Sequence, residues 1–201
     1  MQKKTCNLRN VVMILVLSLS LNGCVLYEQI RMQLDLERKT GTIQYFNIVS
    51  AIEEKDSYWS NETEREEFFE KLQQVRKDDL RQLIREYYDY SIDSGHNEII
   101  AKKLFKKNKQ LNGIEKFKLE DLSGFDILTS SDSSKYMIKL DPDSRYIAGN
   151  GIYLETDTGK FVYWRIDVKH IDLTIKLYDL NHGFAYVESM LSDWQQWKRT
   201  N

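Results

Sequence analysis

The feature that most constrains the fold is a long helical pattern over residues 63–90. Thr63 and Glu66 have the spacing of a capping box, and neither Gly nor Pro interrupts the run that follows. Gly95 comes next, and glycine readily adopts the left-handed conformation that ends many helices. The apolar residues recur at steps of three and four, which forms one stripe: Phe68, Phe69, Leu72, Val75, Leu80, Leu83, Ile84, Tyr87 and Tyr88. A helix with such a stripe buries it against a second layer of structure.

Short apolar runs separated by turn residues surround this helix and indicate β-strands. Residues 25–36 and 42–52 alternate apolar and polar side chains on either side of a turn at 38–41, which predicts a β-hairpin. In the first of these strands Leu26, Ile30, Met32, Leu34 and Leu36 share one parity and are expected on one face. Further strands are expected at residues 99–105, 111–119, 125–128, 136–140, 151–155, 160–168 and 171–180, and turns at 130–134, 141–143, 149–151 and 157–159.

The C-terminal segment returns to helical spacing. Its apolar residues are Tyr186, Val187, Met190, Leu191, Trp194 and Trp197, which predict a short final helix. We therefore expect an α+β fold: a curved antiparallel β-sheet with one long helix (about 63–90) packed on a face and a short C-terminal helix. At helical spacing the tyrosines and tryptophans of the two helices more often seal a core than contact sugars or lipid.

The N-terminus has the order of an export signal. Residues 1–10 are basic, residues 11–21 are apolar, and Leu21-Asn22-Gly23 precedes Cys24. An apolar run of this length fits the core of a secretory signal and falls short of the roughly 20 residues that span a bilayer.

This order resembles the signal peptide of bacterial lipoproteins, whose lipobox places Leu three residues and Gly one residue before an invariant Cys. The resemblance implies cleavage between Gly23 and Cys24, and attachment of acyl chains such as palmitate to Cys24. Residues 1–23 would then be a signal peptide and residues 24–201 a single α+β domain, anchored to the membrane through lipid. Val25 stands where many lipoproteins of the inner membrane carry Asp, so the resemblance favours the outer membrane in an organism that has one.

The composition excludes some classes of function. Removing residues 1–23 removes three basic residues and no acidic one, which leaves 26 Lys and Arg against 31 Asp and Glu and a formal charge of −5. This balance argues against nucleic-acid binding by the protein as a whole. Cys6 lies in the expected leader and Cys24 at the lipid site, so the domain must be stabilised by its own core, without disulfides.

A lysine cluster is the most unusual local feature of the expected domain. Its members that we consider for contact with an anionic surface are Lys102, Lys103, Lys106, Lys107 and Lys109, and Lys116 and Lys118 follow. A turn at 112–113 would place lysines opposite each other, which is unfavourable. A turn around 107–110 avoids this and pairs Phe105 with Leu111, so we prefer it. The lysines then either contact anionic headgroups or form a solvated edge that discourages strand addition. We favour the second interpretation.

Other candidate sites have ordinary explanations. His96, His170 and His182 are widely separated and lack the spacing of metal ligands. Residues 141–143 lack the Gly and Glu of a calcium loop and indicate a β-turn. No Gly-x-Ser-x-Gly motif occurs, and we expect no cofactor.

Two functions are compatible with the sequence. The first is a non-catalytic envelope lipoprotein that binds a protein, glycan or anionic lipid partner close to the membrane. The alternative is a small envelope hydrolase whose active-site residues are dispersed in sequence and converge only in the fold. A concave pocket with convergent ionisable groups would favour the hydrolase.

Overall fold

The computed structural model describes residues 24–53, 62–88 and 97–201, and the side chains of residues 53 and 62–71 lie outside that description. The strands are β1 (Cys24–Asp35), β2 (Thr40–Glu53), β3 (Glu98–Lys107), β4 (Gln110–Lys118), β5 (Leu128–Thr129), β6 (Lys135–Leu140), β7 (Arg145–Gly149), β8 (Ile152–Thr156), β9 (Gly159–Arg165), β10 (His170–Lys176) and β11 (Phe184–Ser189). The helices are α1 (Glu62–Tyr88) and α2 (Leu191–Thr200), and a 3₁₀ turn spans Ser123–Phe125.

The strands form two sheets, and every pair of described strands is antiparallel. The large sheet has the order β3-β4-β2-β1-β10-β7, with β11 also paired to β2, and the small sheet has the order β5-β6-β9-β8. Antiparallel strands accompanied by two helices are confirmed. The expectation of one sheet is wrong, because the chain crosses from β7 at the edge of one sheet into β8 at the edge of the other.

The first hairpin changes its buried face part-way along. Tyr45 and Ile48 are both buried although they differ in parity, and the intervening Asn47 has a left-handed φ of 52°. Its backbone N–H donates to Asn112 Oδ1 at 3.2 Å, and its amide donates to Glu28 Oε2 at 2.7 Å on the neighbouring strand. Leu26 therefore packs with Val49 and Ala51 in a cluster separate from the main core. Its expected place on one face with Ile30, Met32 and Leu34 is wrong.

The main core joins both sheets and both helices. Its buried residues include Met32, Ile43 and Leu173 from the large sheet, Ile138, Val162 and Trp164 from the small sheet, Leu83 and Tyr87 from α1, and Trp194 from α2. Arg76 of α1 also binds Glu188 at the end of β11 and Asp193 of α2. Burial of this apolar surface is the main stabilising contribution to the fold.

The C-terminal helix begins later than the sequence suggests. Tyr186 and Val187 lie in β11, and only the residues from Leu191 onward are helical. β4 pairs with β2 only as far as Tyr45, which leaves the remainder of β2 available to β11. Pairing with this distant strand outweighs the helical spacing of the local sequence.

Two further strand assignments differ from expectation. The strand expected at 125–128 is replaced by the 3₁₀ turn and the two-residue β5, and β7 was not foreseen. Phe125 is nevertheless buried, stacked on Phe117 with ring centroids 5.1 Å apart. A buried turn residue and a strand residue give the same apolar signal in sequence.

The large sheet has two distinct ends. At the Cys24 end, Cys24 pairs with Ala51, and at the Asp35 end, Asp35 pairs with Thr40 and His170. β4 begins toward the Cys24 end and β10 ends toward it. The β3–β4 turn and the loop after Lys176 therefore both point toward the Cys24 end.

Candidate functional site

An open polar groove lies across the strand termini at the Asp35 end of the large sheet. Its volume is about 650 Å³. The ring of Phe117 packs directly against Gly41, where a Cβ would lie 2.1 Å from a ring carbon, so a larger residue would displace the ring. The lining residues come from five strands and one connection: Gln33, Leu34, Asp35, Thr40, Gly41, Thr42, Ile100, Lys116, Phe117, Asn150, His170, Ile171 and Asp172.

Asp172 is held in a fixed orientation on the groove wall. Arg31 donates from Nε to Oδ1 at 3.1 Å and from Nη2 to Oδ2 at 2.6 Å, and Gln33 donates to Oδ2 at 3.3 Å. Such bidentate, charge-assisted pairs are geometrically specific. The hydrogen bonds that Arg31 donates to Asp172 raise the pKa of Arg31. The groove therefore contains a carboxylate whose orientation is fixed and whose charge is paired with that of Arg31.

Asn150 connects the groove to the small sheet. Its Oδ1 accepts from Trp164 Nε1 at 2.8 Å and from the Asp172 backbone N–H at 2.9 Å, and its amide donates to the His170 carbonyl at 2.6 Å. At neighbouring Gly149 a Cβ would lie 2.4 Å from the Asp172 carbonyl oxygen, so only glycine permits this approach. Asn150 thus positions the β10 wall of the groove from the small sheet.

The groove brings the imidazole of His170 close to the carboxylate of Asp35. His170 Nδ1 lies 3.7 Å from Asp35 Oδ2, which is too long for a hydrogen bond. No Ser or Cys is among the lining residues of this described groove. The arrangement offers donors and acceptors to a polar ligand and lacks a nucleophile paired with a base.

His182 and the 141–143 turn are not among the residues that line the groove. His96 lies outside the described residues, and His182 is exposed in the loop after β10. The expected β-turn at 141–143 is confirmed by a 3.0 Å hydrogen bond from the Ser144 N–H to the Asp141 carbonyl. Among the described residues no three His, Cys, Asp or Glu side chains converge as metal ligands.

The β3–β4 hairpin turns at Asn108 and Lys109. Both residues have left-handed φ angles, 51° and 62°, as a two-residue primed turn requires. The preferred turn position is confirmed, and the alternative at 112–113 is wrong. The expected pairing of Phe105 with Leu111 is also wrong by one residue, because Lys107 pairs with Gln110 and Phe105 therefore faces Asn112.

The candidate lysines fall into two environments. Lys103, Lys106, Lys107 and Lys109 are exposed, and the last three approach the Cys24 end. Lys102 departs from the expected surface set, since its side chain is only 6% exposed. It shares the inward parity of Leu104 and so cannot contact an external surface.

Lys102 belongs to a buried polar network under α1 that the sequence reasoning missed. Its Nζ lies 3.6 Å from Glu115 Oε1 and donates to the Glu86 carbonyl at 3.0 Å. Tyr45 donates to Glu115 Oε2 at 3.2 Å, and Tyr27 donates to Glu86 at 3.1 Å. Burial raises the pKa of Glu115 while Lys102 opposes that shift. Glu115, the one acid among the clustered lysines, is the sequence signal that could have indicated this pair.

The Cys24 end has an apolar margin. Cys24 is half-buried at the start of β1, beside the cluster of Leu26, Val49 and Ala51. Half-buried Tyr178 and Phe184 cover that cluster, with ring centroids 6.2 Å apart. Neither described helix has the apolar length that crossing a bilayer requires.

Comparisons with protein-family models, curated proteins and solved structures found no match for the chain.

Proposed function

We propose that the protein is a lipid-anchored, non-catalytic binding component of a bacterial cell envelope. Acyl chains on Cys24 hold one end of the large sheet at the membrane, and the polar groove binds a ligand at the other end. This is supported by the positions of Cys24 and of Gln33, which lines the groove. They lie toward opposite ends of β1, about 30 Å apart at a rise of 3.3 Å per residue.

The anchor is supported by the order of the N-terminal sequence and by the position of β1. Basic residues, an apolar run and Leu21-Asn22-Gly23 precede Cys24, as in lipoprotein signals. β1 begins at Cys24, so no linker separates the acylated residue from the sheet. Lipidation at Cys24 after cleavage at Gly23 would leave residues 24–201 as one envelope domain, on the outer membrane in an organism with two membranes.

The surroundings of Cys24 suit a position close to headgroups. Tyrosine favours the boundary between lipid and water, and Tyr178 lies in the apolar margin. Exposed Lys106, Lys107 and Lys109 point to the same end, and each lysine near an anionic surface contributes about 1 kcal/mol. We propose that these three, with Lys103, contact anionic headgroups.

We also propose that α1 packs on one face of the large sheet. Leu72 contacts Ile52, and the Ser50 hydroxyl donates to Asp79. Leu83 and Tyr87 continue this line of contacts into the main core. The apolar stripe predicted from the sequence accounts for these contacts.

The anchor is tested by replacing Cys24 with Ser in the full chain and by labelling cells with an alkynyl palmitate. Wild type should incorporate label and fractionate with membranes, and Cys24→Ser should lose both properties. Cys6→Ser is the matched control and should retain both. Label that persists in Cys24→Ser would contradict the proposal.

The groove is tested by placing a photo-reactive amino acid at Thr42, which lines it, in the native cell. The control position is Ser131, exposed in the β5–β6 turn. We expect a discrete crosslinked product from Thr42 alone, containing protein, glycan or lipid according to the ligand. Equal products from both positions, or none from either, would contradict ligand binding in the groove. Turnover of that ligand by the purified protein would support the hydrolase instead.

A further inference from the structure

β8 is an edge strand with apolar side chains on its outer face. Within residues 24–53, 62–88 and 97–201 it pairs only with β9. Ile152 is 73% exposed and Leu154 is 47% exposed. The strand contains neither Lys nor Pro, the residues that usually protect a sheet edge from another chain.

The outward backbone groups of β8 belong to Tyr153 and Glu155. Thr156 pairs with Gly159 across a two-residue turn, and the pair that closes such a turn exchanges hydrogen bonds. Because hydrogen-bonded pairs alternate along an antiparallel ladder, Leu154 also directs its N–H and C=O toward β9. Tyr153 and Glu155, which alternate with these residues along the strand, direct their backbone groups away from the sheet.

We propose that β8 pairs with β8 of a second copy of this chain, antiparallel and with Leu154 on the two-fold axis. Leu154 then lies opposite Leu154 of the second copy, in a non-hydrogen-bonded pair. Tyr153 and Glu155 exchange backbone hydrogen bonds with Glu155 and Tyr153 of the second copy. A surface that pairs with itself in this way forms a closed, isologous dimer.

The side-chain chemistry selects this register. It pairs every residue of β8, merges the apolar outer faces at Leu154 and places Glu155 opposite a tyrosine. A register centred on Glu155 would place two carboxylates directly opposite each other, which is destabilising. A register centred on Tyr153 would leave Thr156 without a partner residue in β8.

The charges of the small sheet are compatible with this dimer. Its outer face carries Lys135 and Lys139 on β6, which would repel a second copy that stacked face to face. Pairing through β8 keeps these cations two strand spacings, about 10 Å, from the contact. The interface therefore brings the apolar edges of two copies together without placing the lysines of one copy against those of the other. Its formation does not depend on lipidation of Cys24.

The register is tested by oxidising full-length Leu154→Cys with diamide and analysing it on a non-reducing gel. Opposed residues of a non-hydrogen-bonded pair have Cα atoms about 4.5 Å apart, within the reach of a disulfide. Leu154→Cys should form a covalent dimer, while Leu128→Cys, 57% exposed on the far strand of the same sheet, should not. Wild type, whose two cysteines are Cys6 and Cys24, shows how much covalent dimer forms without a cysteine at residue 154.

The assembly is tested by light scattering of the full chain carrying Cys24→Ser. We expect twice the 23.9 kDa chain mass, a monomer for Leu154→Lys and a dimer for Leu128→Lys. Should Leu154→Lys fail to fold, the disulfide result decides alone. A monomeric starting protein, or equal crosslinking of Leu154→Cys and Leu128→Cys, would overturn the proposal.

Discussion

The two edge strands β3 and β8 differ in how they meet solvent. Both end an antiparallel sheet, and both present one row of backbone groups to solvent. β3 carries exposed Lys103, Lys106 and Lys107, whereas β8 carries exposed Ile152 and Leu154. Pairing another strand with β3 would require desolvation of ammonium groups, and pairing with β8 would bury apolar surface. We infer that one edge resists strand addition and the other accepts it.

Two lysines that are adjacent in sequence also differ in their exposure to solvent. Lys102 and Lys103 are adjacent in β3, but Lys102 lies inside against Glu115 and Lys103 faces solvent. The protective function of the β3 edge therefore depends on the exposed lysines only. Lys102 contributes to the stability of the fold.

The largest expected effect follows from replacing this buried lysine. Lys102→Met leaves the buried Glu115 without its cation, which should lower the free energy of unfolding by about 3–5 kcal/mol. Urea denaturation measures the change. Lys103→Met is the matched control and should change the same free energy by less than about 0.5 kcal/mol. Equal effects of the two substitutions would remove the distinction between them.

A pH dependence from Asp79 has the next largest expected effect. Burial raises the pKa of Asp79 to about 6, which the hydrogen bond from Ser50 only partly opposes. The folded protein binds this proton more tightly than the unfolded chain does. The stability contributed by the protonated form is therefore full below pH 4 and is lost as the pH rises through 6, by about 3 kcal/mol.

Asp79→Asn should remove this loss, as urea denaturation at pH 4, 5, 6 and 7 would measure. Exposed Asp78 supplies the control, since its like charge makes the smallest contribution to that pKa shift and Asp78→Asn should retain most of the pH dependence of wild type. If Asp79→Asn and wild type lose stability equally between pH 4 and 7, the buried carboxyl is not the cause. Asp78 and Asp79 thus resemble Lys102 and Lys103: of two adjacent residues of the same type, the buried one has the larger effect on stability.

Removing the lysines of the β3 edge should convert it into an edge like β8. Lys103→Val with Lys107→Val should produce assemblies larger than wild type at tens of micromolar, with little change in stability. Light scattering measures the mass. Lys116→Val with Lys118→Val is the control, because β4 is an interior strand and its backbone is already paired. If the control pair assembles equally, exposed valine causes association irrespective of the edge.

The smallest expected effect concerns the headgroups. With Cys24→Ser in the full chain, replacing Lys109 by Gln should weaken co-sedimentation with phosphatidylglycerol vesicles about fivefold, and added salt should weaken it further. Lys118→Gln, which lies toward the Asp35 end, should have little effect. Equal effects of the two replacements, or binding insensitive to salt, would contradict headgroup contact by the β3–β4 turn.

Local signals in the sequence predicted the local structure well. The apolar stripe predicted a helix over the residues that α1 occupies, and the alternation of the first hairpin predicted β1 and β2. The turn at Asn108 and Lys109 followed from avoiding opposed lysines. Each of these depends on residues close in sequence, where spacing alone carries the information.

The remaining features depend on residues far apart in sequence. Asn47 changes the buried face of the first hairpin through its contacts with Glu28 and Asn112, and β11 forms because part of β2 is unpaired. The groove collects residues from β1, β2, β3, β4 and β10 and from Asn150. No spacing in the chain indicates that these residues meet, so neither the second sheet nor the groove could be predicted.

The most direct test of the account is the distance of each end of the large sheet from the bilayer. We would place a fluorophore at Asn181→Cys, in the loop beside the Cys24 end, or at Glu37→Cys, in the β1–β2 turn at the Asp35 end. The acylated protein would be reconstituted in vesicles that contain an energy-transfer acceptor. The account predicts strong quenching at residue 181 and weak quenching at residue 37, for a separation of about 30 Å. Equal quenching at both positions, or stronger quenching at residue 37, would contradict it.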